Sequence, residues 1–146
     1  MLINTNKFGS LEIDAEALIV FPDGIVGFED QRHWVLLSES NSSSVGWLQS
    51  VRDPGLAFCV VTPNAFVRSY ALRISRNQLE ALPWSREDSS LVLALVSCHD
   101  GQLSMNLKAP VVVNLDRQIA CQVVSSDDEP LRYPLPVQAA PLRKSA

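Results

Sequence analysis

The stretch SLVLALVSCHDGQLSMNL, residues 90–107, decides how the rest of the chain is read. Asp100-Gly101 is a pair that tolerates positive φ at both positions, set between two runs with strand character. That is the signal of a two-residue type I′ hairpin turn. The arm before the turn is apolar at every position from Leu91 to Val96, so it is expected to be buried on both faces rather than one. The arm after it, QLSMNL (102–107), returns as its antiparallel partner.

Working outward, VVVNL (111–115) and RQIACQVV (117–124) follow as two more strands with little between them. Upstream, MLINT (1–5) and SLEID (10–14) alternate around Lys7-Phe8-Gly9, and ALIVF (17–21) is stopped by Pro22. HWVLLS (33–38), VGWLQS (45–50), LAFCVV (56–61) and YALRI (70–74) read as further strands, with a polar loop SESNSSS (38–44) between the first two. Phe21-Pro22-Asp23-Gly24 has proline where a turn wants φ preset, then residues suited to bridge or left-handed geometry. The one helix signal is Ser75-Arg76-Asn77-Gln78, a capping-box spacing with Leu79 and Leu82 on one face and Pro83 as its stop. Two turns of helix need packing on a sheet to persist. Short strands at regular spacing without a long helix define an all-β, antiparallel barrel or sandwich. Beyond Val124 the chain turns polar and proline-rich, and is expected to be extended or disordered.

The 146 residues fit one domain, and with 47 % hydrophobic and 19 % charged residues they suit a globular protein. No apolar run is long enough to span a bilayer, and no basic segment precedes an apolar one at the start, so neither anchor nor signal peptide is expected. Cys59, Cys98 and Cys121 lie in or beside apolar runs and read as core thiols of a reducing compartment. A net charge of −4 with scattered basic residues opposes phosphate binding and favours a partner with a basic face. Trp34, Trp47, Phe58, Phe66 and Tyr70 suit core packing; the alternative, a small β-barrel stacking RNA bases on them, lacks a basic stripe.

The sets of residues that chemistry needs are missing. Cys98 and His99 are strand neighbours that point to opposite faces, badly placed as nucleophile and base. His33 has no partner at ligand spacing, and no CxxC or HxxxH pair suggests zinc. Asp127-Asp128-Glu129 reads as a solvated acidic patch rather than a cation site. Gly24 and Gly27 precede no helix, which excludes a dinucleotide loop and leaves backbone geometry as their purpose. The expectation is a protein with no catalytic role, no metal and no cofactor.

Two segments invite a binding role. In NLKAPVVVNL (106–115) a lysine and a proline stand at the mouth of a valine strand. On one reading Pro110 simply starts the strand while Asn106 and Asn114 bond to turns. On the other, Pro110 frees a ladder position and Lys108 keeps its head in water, leaving a lip open to a partner. In FPDGIVGFED (21–30), Ile25 and Phe28 could form an exposed apolar patch rimmed by Glu29 and Asp30.

These two segments, with WLQSVRDPGLAF (47–58) and QIACQVV (118–124), resemble the flagellar assembly factor FliW family in order and spacing over about residues 1–136, and EPLRYPL (129–135) is similar to the family's ending. The resemblance implies a compact antiparallel β-barrel-like domain, 1–136, that is not an enzyme, followed by a flexible tail at 137–146. It further implies a cytoplasmic protein that binds flagellin and the translational repressor CsrA, with no direct contact to nucleic acid or membrane. Export of flagellin would free the factor to bind the repressor. The residues that the binding reading of the two segments singles out for partner contact are Ile25, Phe28, Glu29, Asp30, Asn106, Lys108, Pro110 and Asn114.

Overall fold

A computed structural model describes residues 1–38, 44–80, 84–85 and 87–138. The hairpin lies where the sequence puts it: β7 (Ser90–His99) pairs with β8 (Gln102–Met105) from Val96↔Met105 to His99↔Gln102. Asp100 and Gly101 have φ of 52° and 79°, the left-handed pair a type I′ turn requires. The remaining strands, in order of chain, are β1 (Leu2–Thr5), β2 (Gly9–Glu12), β3 (Leu18–Val20), β4 (His33–Ser38), β5 (Val45–Ser50), β6 (Ala57–Val61), β9 (Val111–Asn114), β10 (Ile119–Gln122) and β11 (Tyr133–Gln138).

β7 is long enough to serve two structures. Its first half pairs with β9, from Ser90↔Asn114 to Leu93↔Val111, and its middle pairs with β6 at Ala94 and Leu95. The order β7-β6-β5-β4-β3-β10-β9 therefore returns to β7 and closes a seven-stranded barrel. Pairing is antiparallel throughout except at β3–β10, a short parallel contact at Val20↔Ile119. The second half of β7 continues past the barrel and carries β8, which in turn carries β11.

Side chains alternate along β7, and each face meets its own core. Leu91, Leu93 and Leu95 pack with the barrel interior, among Phe21, Trp34, Leu48 and Val60. Val92, Ala94 and Val96 pack on the other side, with Tyr70, Met105, Leu107 and Leu135. The unbroken apolar run is thus explained: each face packs on a core of its own, with Leu93 and Ala94 buried and the other four partly buried.

A small outer layer covers β5. Leu48 points into the barrel, so Trp47 and Gln49 point out. There the β1–β2 hairpin meets them, with Phe8 edge-on to Trp47 at 6.2 Å and the Lys7 ammonium 4.3 Å from the same ring. The Asn6 N–H donates to the Pro54 carbonyl at 2.8 Å and fixes the hairpin to the 50–56 loop.

Three expectations are corrected. Residues 70–74 form no strand. Burial alternates from Tyr70 to Ile74 as expected, but their backbone is held from outside a ladder, the Tyr70 carbonyl by Asn64 Nδ2 at 2.7 Å and the Arg73 carbonyl by Ser126 N–H. The segment after Val124 is not a loose tail: β11 pairs with β8, and Leu135 is 3 % exposed in the second core. β11 runs on to Gln138, two residues past the expected boundary at 136, while 139–146 lie outside the described residues. The capping box is formed only in part. The Gln78 N–H donates to Ser75 Oγ at 3.4 Å, but the Gln78 amide pairs with the backbone of Val124, accepting its N–H at 2.7 Å and donating to its carbonyl at 2.9 Å. That pairing docks helix α1 (Arg76–Glu80) on the barrel. The Leu79 side chain, Leu82 and Pro83 lie outside the described residues, as do 39–43 of the polar loop.

Candidate partner-binding face

The loop 21–30 is a chain of turns. The Gly24 N–H donates to the Phe21 carbonyl at 3.0 Å, that of Phe28 to Ile25 at 2.6 Å, and that of Gln31 to Phe28 at 3.1 Å. Gly24 has φ +66° and is packed so closely that a Cβ there would lie 2.6 Å from Glu29 Cα and from the Phe28 carbonyl oxygen. Gly27, at φ +89°, occupies the third position of the Ile25–Phe28 turn, where a type II turn demands a positive value.

This geometry sorts the side chains. Ile25 is 2 % exposed and belongs to the barrel core, so its expected place in an exposed patch is corrected. A closed barrel needs a plug at its end, and Ile25 fills that place beside Phe21. Val26, at the second turn position, is 75 % exposed, and Phe28 is 36 % exposed with its ring edge-on to Phe58 at 5.2 Å. Asp23, Glu29 and Asp30 are exposed around them. Glu29 also has a local task, since its Oε2 accepts the Gly27 N–H at 2.9 Å.

NLKAPVVVNL is an internal brace. Asn106 Oδ1 accepts the N–H groups of Lys108 and Ala109 at 3.0 and 2.9 Å. The Lys108 head does not sit in water: Nζ donates to the carbonyls of Ser125 at 2.9 Å and Asp127 at 2.8 Å. Pro110 is buried directly before β9, and its carbonyl accepts the Val123 N–H at 3.0 Å. Asn114 is 6 % exposed; its Oδ1 accepts the N–H groups of Asp116 and Arg117, and its Nδ2 donates to Asp88 at 2.9 Å. Pro110 thus stands at the start of a strand, with both asparagines bonded to turns.

Gln122 joins the two segments. Its Oε1 accepts the Val26 N–H at 3.0 Å and its Nε2 donates to the Ala109 carbonyl at 2.9 Å. Three of the four recognised motifs therefore meet at one side chain, across 96 residues of sequence. Neither Val26 nor Gln122 stands out in the sequence. The spacing Ile-Val-Gly-Phe, read as a type II turn, would have turned Val26 outward; nothing local reveals Gln122.

Titratable groups nearby are tuned by their surroundings. Burial, and then Asp23, push the Cys121 thiol up to about 11. Burial, then Glu129 and Asp127, push the Tyr70 hydroxyl up to about 12, and that hydroxyl donates to the Leu107 carbonyl. Cys98 and His99 are exposed at the end of β7, on opposite faces. Among the described residues no cluster of histidine, cysteine and carboxylate side chains could hold a metal ion, and no helix is long and apolar enough to cross a membrane. Trp34 and Tyr70 are buried, Phe58 and Phe66 pack against the two cores, and Trp47 is covered by the hairpin.

A closed β-barrel with a side sheet and a loop bearing exposed Val26 and Phe28 has a close structural counterpart, and it is a flagellar assembly factor. The crystal structure of the flagellar assembly factor FliW matches with a TM-score of 0.83 at 26 % identity, covering 92 % of this chain and 95 % of that one. The family model for FliW protein matches residues 2–135. Flagellar assembly factor FliW of Ruminiclostridium cellulolyticum is 39 % identical over 132 residues, 88 % of this chain and 89 % of that protein. The Bdellovibrio bacteriovorus factor is 37 % identical over 130 residues, 88 % of this chain and 74 % of that one. The chain belongs to the FliW family of flagellar assembly factors.

Proposed function

We propose that this flagellar assembly factor works by partner switching, binding flagellin and, when flagellin has been exported, binding a CsrA-type translational repressor and relieving its hold on flagellin synthesis. It acts as a binding protein in the cytoplasm, where both partners are made. The observation that carries the reading is the tip of the 21–30 loop, where Val26 and Phe28 stand exposed among Asp23, Glu29 and Asp30. Apolar area supplies affinity, and a carboxylate rim suits the basic face of an RNA-binding protein. Of the residues singled out in the sequence, Phe28, Glu29 and Asp30 are proposed to touch the partner. Ile25 is proposed to hold the face in shape from behind, and Asn106, Lys108, Pro110 and Asn114 to hold β9 and its entry in place.

The test is a titration of repressor into this protein, with and without flagellin, at low and high salt. Binding should weaken as salt rises without vanishing, because screening acts on the rim and not on Val26 and Phe28. Asp30→Lys should slow association more than it speeds dissociation. It is a cleaner probe than Glu29, whose carboxylate also closes the turn at Gly27. Added flagellin should lower the apparent affinity for repressor, and reciprocally. Binding of RNA with neither protein partner bound would overturn the proposal.

A further inference from the structure

The barrel has a thin seam. β3 and β10 pair at one position, Val20↔Ile119, whereas β4 and β5 pair from Trp34↔Ser50 to Ser38↔Gly46. On its other side β10 is well held. Its register with β9 runs on past Gln122, where the N–H groups of Val123 and Ser125 donate to the carbonyls of Pro110 and Lys108. Backbone groups alternate along a strand, so those of Gln118, Ala120 and Gln122 face the seam. There the Gln118 carbonyl accepts the Val20 N–H at 3.0 Å, and beyond Val20 no backbone group of the 21–30 loop bonds to β10. β10 also gives the buried barrel core only Ala120, so lifting its edge exposes little apolar surface.

Two partly buried glutamines reach across this seam. Gln118 Nε2 donates to the Glu16 carbonyl at 2.6 Å, and Gln122 Oε1 accepts the Val26 N–H at 3.0 Å. Gln118 holds a left-handed φ of 55°, uncommon for a residue with a Cβ, and both its carbonyl and its amide serve the seam. The remaining backbone bonds of the 21–30 loop close on the loop itself or on Arg32, so Gln122 is its one hydrogen-bonded tie to β10. The two glutamines share one strand. The residues they hold, Glu16 and Val26, lie on either side of Ile19, Phe21 and Ile25, which pack together in the barrel core. Neither end of the seam can part far while the other stays closed.

We infer that the β3–β10 seam and the 21–30 tip open and close as one unit, with Gln118 and Gln122 as its two latches. The tip has its anchored shape only while the seam is closed. A protein seated on Val26 and Phe28 therefore also holds the barrel shut at Val20. That last step rests on the partner-switching proposal, whereas the joint opening is a property of the free chain.

The experiment is amide hydrogen exchange of the full-length, ¹⁵N-labelled protein followed by NMR, in the parent, Gln118→Ala and Gln122→Met. In the parent, the Val20 and Val26 amides should exchange well ahead of the slowest β4 and β5 amides, which open only on global unfolding. Each substitution is then read at the far end of the seam. Gln118→Ala should speed exchange at Val26 about five-fold, the value of one hydrogen bond, although no hydrogen bond joins Gln118 to the loop. Gln122→Met should speed exchange at Val20 by a like factor, as reciprocal coupling requires. Should Gln122→Met not fold, Gln118→Ala decides. An effect confined to the substituted end, or Val20 or Val26 exchanging as slowly as the β4 and β5 amides, would overturn the inference. Saturation with the CsrA-type repressor should slow exchange at Val20. If it does not, while the far-end effects are present in the free protein, the seam stands and the tip is not the repressor's site.

Discussion

Replacing Gly24 by alanine tests the architecture of the 21–30 loop at its tightest point. Two costs add. An L-residue held at φ +66° loses about 1–2 kcal/mol to its own backbone. The new methyl would also lie 2.6 Å from Glu29 Cα and the Phe28 oxygen, and those are backbone atoms that cannot rotate aside. Forcing such a packed contact apart costs about 1–3 kcal/mol more. A total of about 3 kcal/mol lowers the melting temperature by roughly 6–12 °C in a protein of this size. Gly27→Ala is the internal control: its φ of +89° is also positive, but a Cβ there meets nothing within 4 Å, so only the first cost applies. Urea denaturation of the two variants beside the parent, at unchanged slope, measures the difference. If Gly24→Ala is no more damaging than Gly27→Ala, the close approach of the two halves of the loop is wrong.

Lys108→Met should destabilise the fold by about 1–3 kcal/mol in the same urea assay, because it leaves the Ser125 and Asp127 carbonyls without their shared charged donor. The Asn114 side chain, then the Ser85 N–H and Arg117, hold the Asp88 carboxyl below its usual value. A carboxyl lowered by folding contributes stability above its unfolded value, about pH 4, and loses it as pH falls through the folded value. Melting temperature should therefore drop on acidification below about pH 4, and less steeply in Asp88→Asn. Deleting 139–146 should leave the melting temperature unchanged within about 1 °C, whereas deleting from 133 onward should cost about 2–5 kcal/mol through the loss of buried Leu135 alone.

What was legible in the sequence was what is decided locally. The Asp100-Gly101 turn and the apolar run 91–96 carry their own geometry, and β4 and β5 begin and end where their alternation does. Where the reading failed, a distant partner had the deciding part. Alternation at 70–74 reports an extended chain with one side buried, and says nothing of whether a neighbour supplies a ladder. Pro134 and Pro136 spoke against a strand, yet β11 is the last strand of its sheet, where a missing N–H can be tolerated. Ile25 sits in a turn, which suggests exposure, but the turn folds over the end of a barrel that must be filled. A lysine at the mouth of a strand suggests a head kept in water, but the carbonyls that take the Lys108 charge lie 17 and 19 residues further on. In the candidate face, Glu29, Asp30 and Phe28 are exposed as expected; Val26 and Gln122 emerge only from the three-dimensional arrangement.

The parallel contact between Val20 and Ile119 has a consequence for synthesis on the ribosome. Chain growth delivers β3 well before β10, and the barrel stays open in between. Local hairpins such as β4–β5 and β5–β6 can form as they emerge, but ring closure must wait for residues 119–122 to clear the exit tunnel. The Val26 tip waits with it, because its anchor, Gln122, is in the closing strand. A nascent chain, or one truncated before β10, would hold the loop sequence without its anchored shape. Only a chain that has grown past β10 holds the loop tip by that anchor.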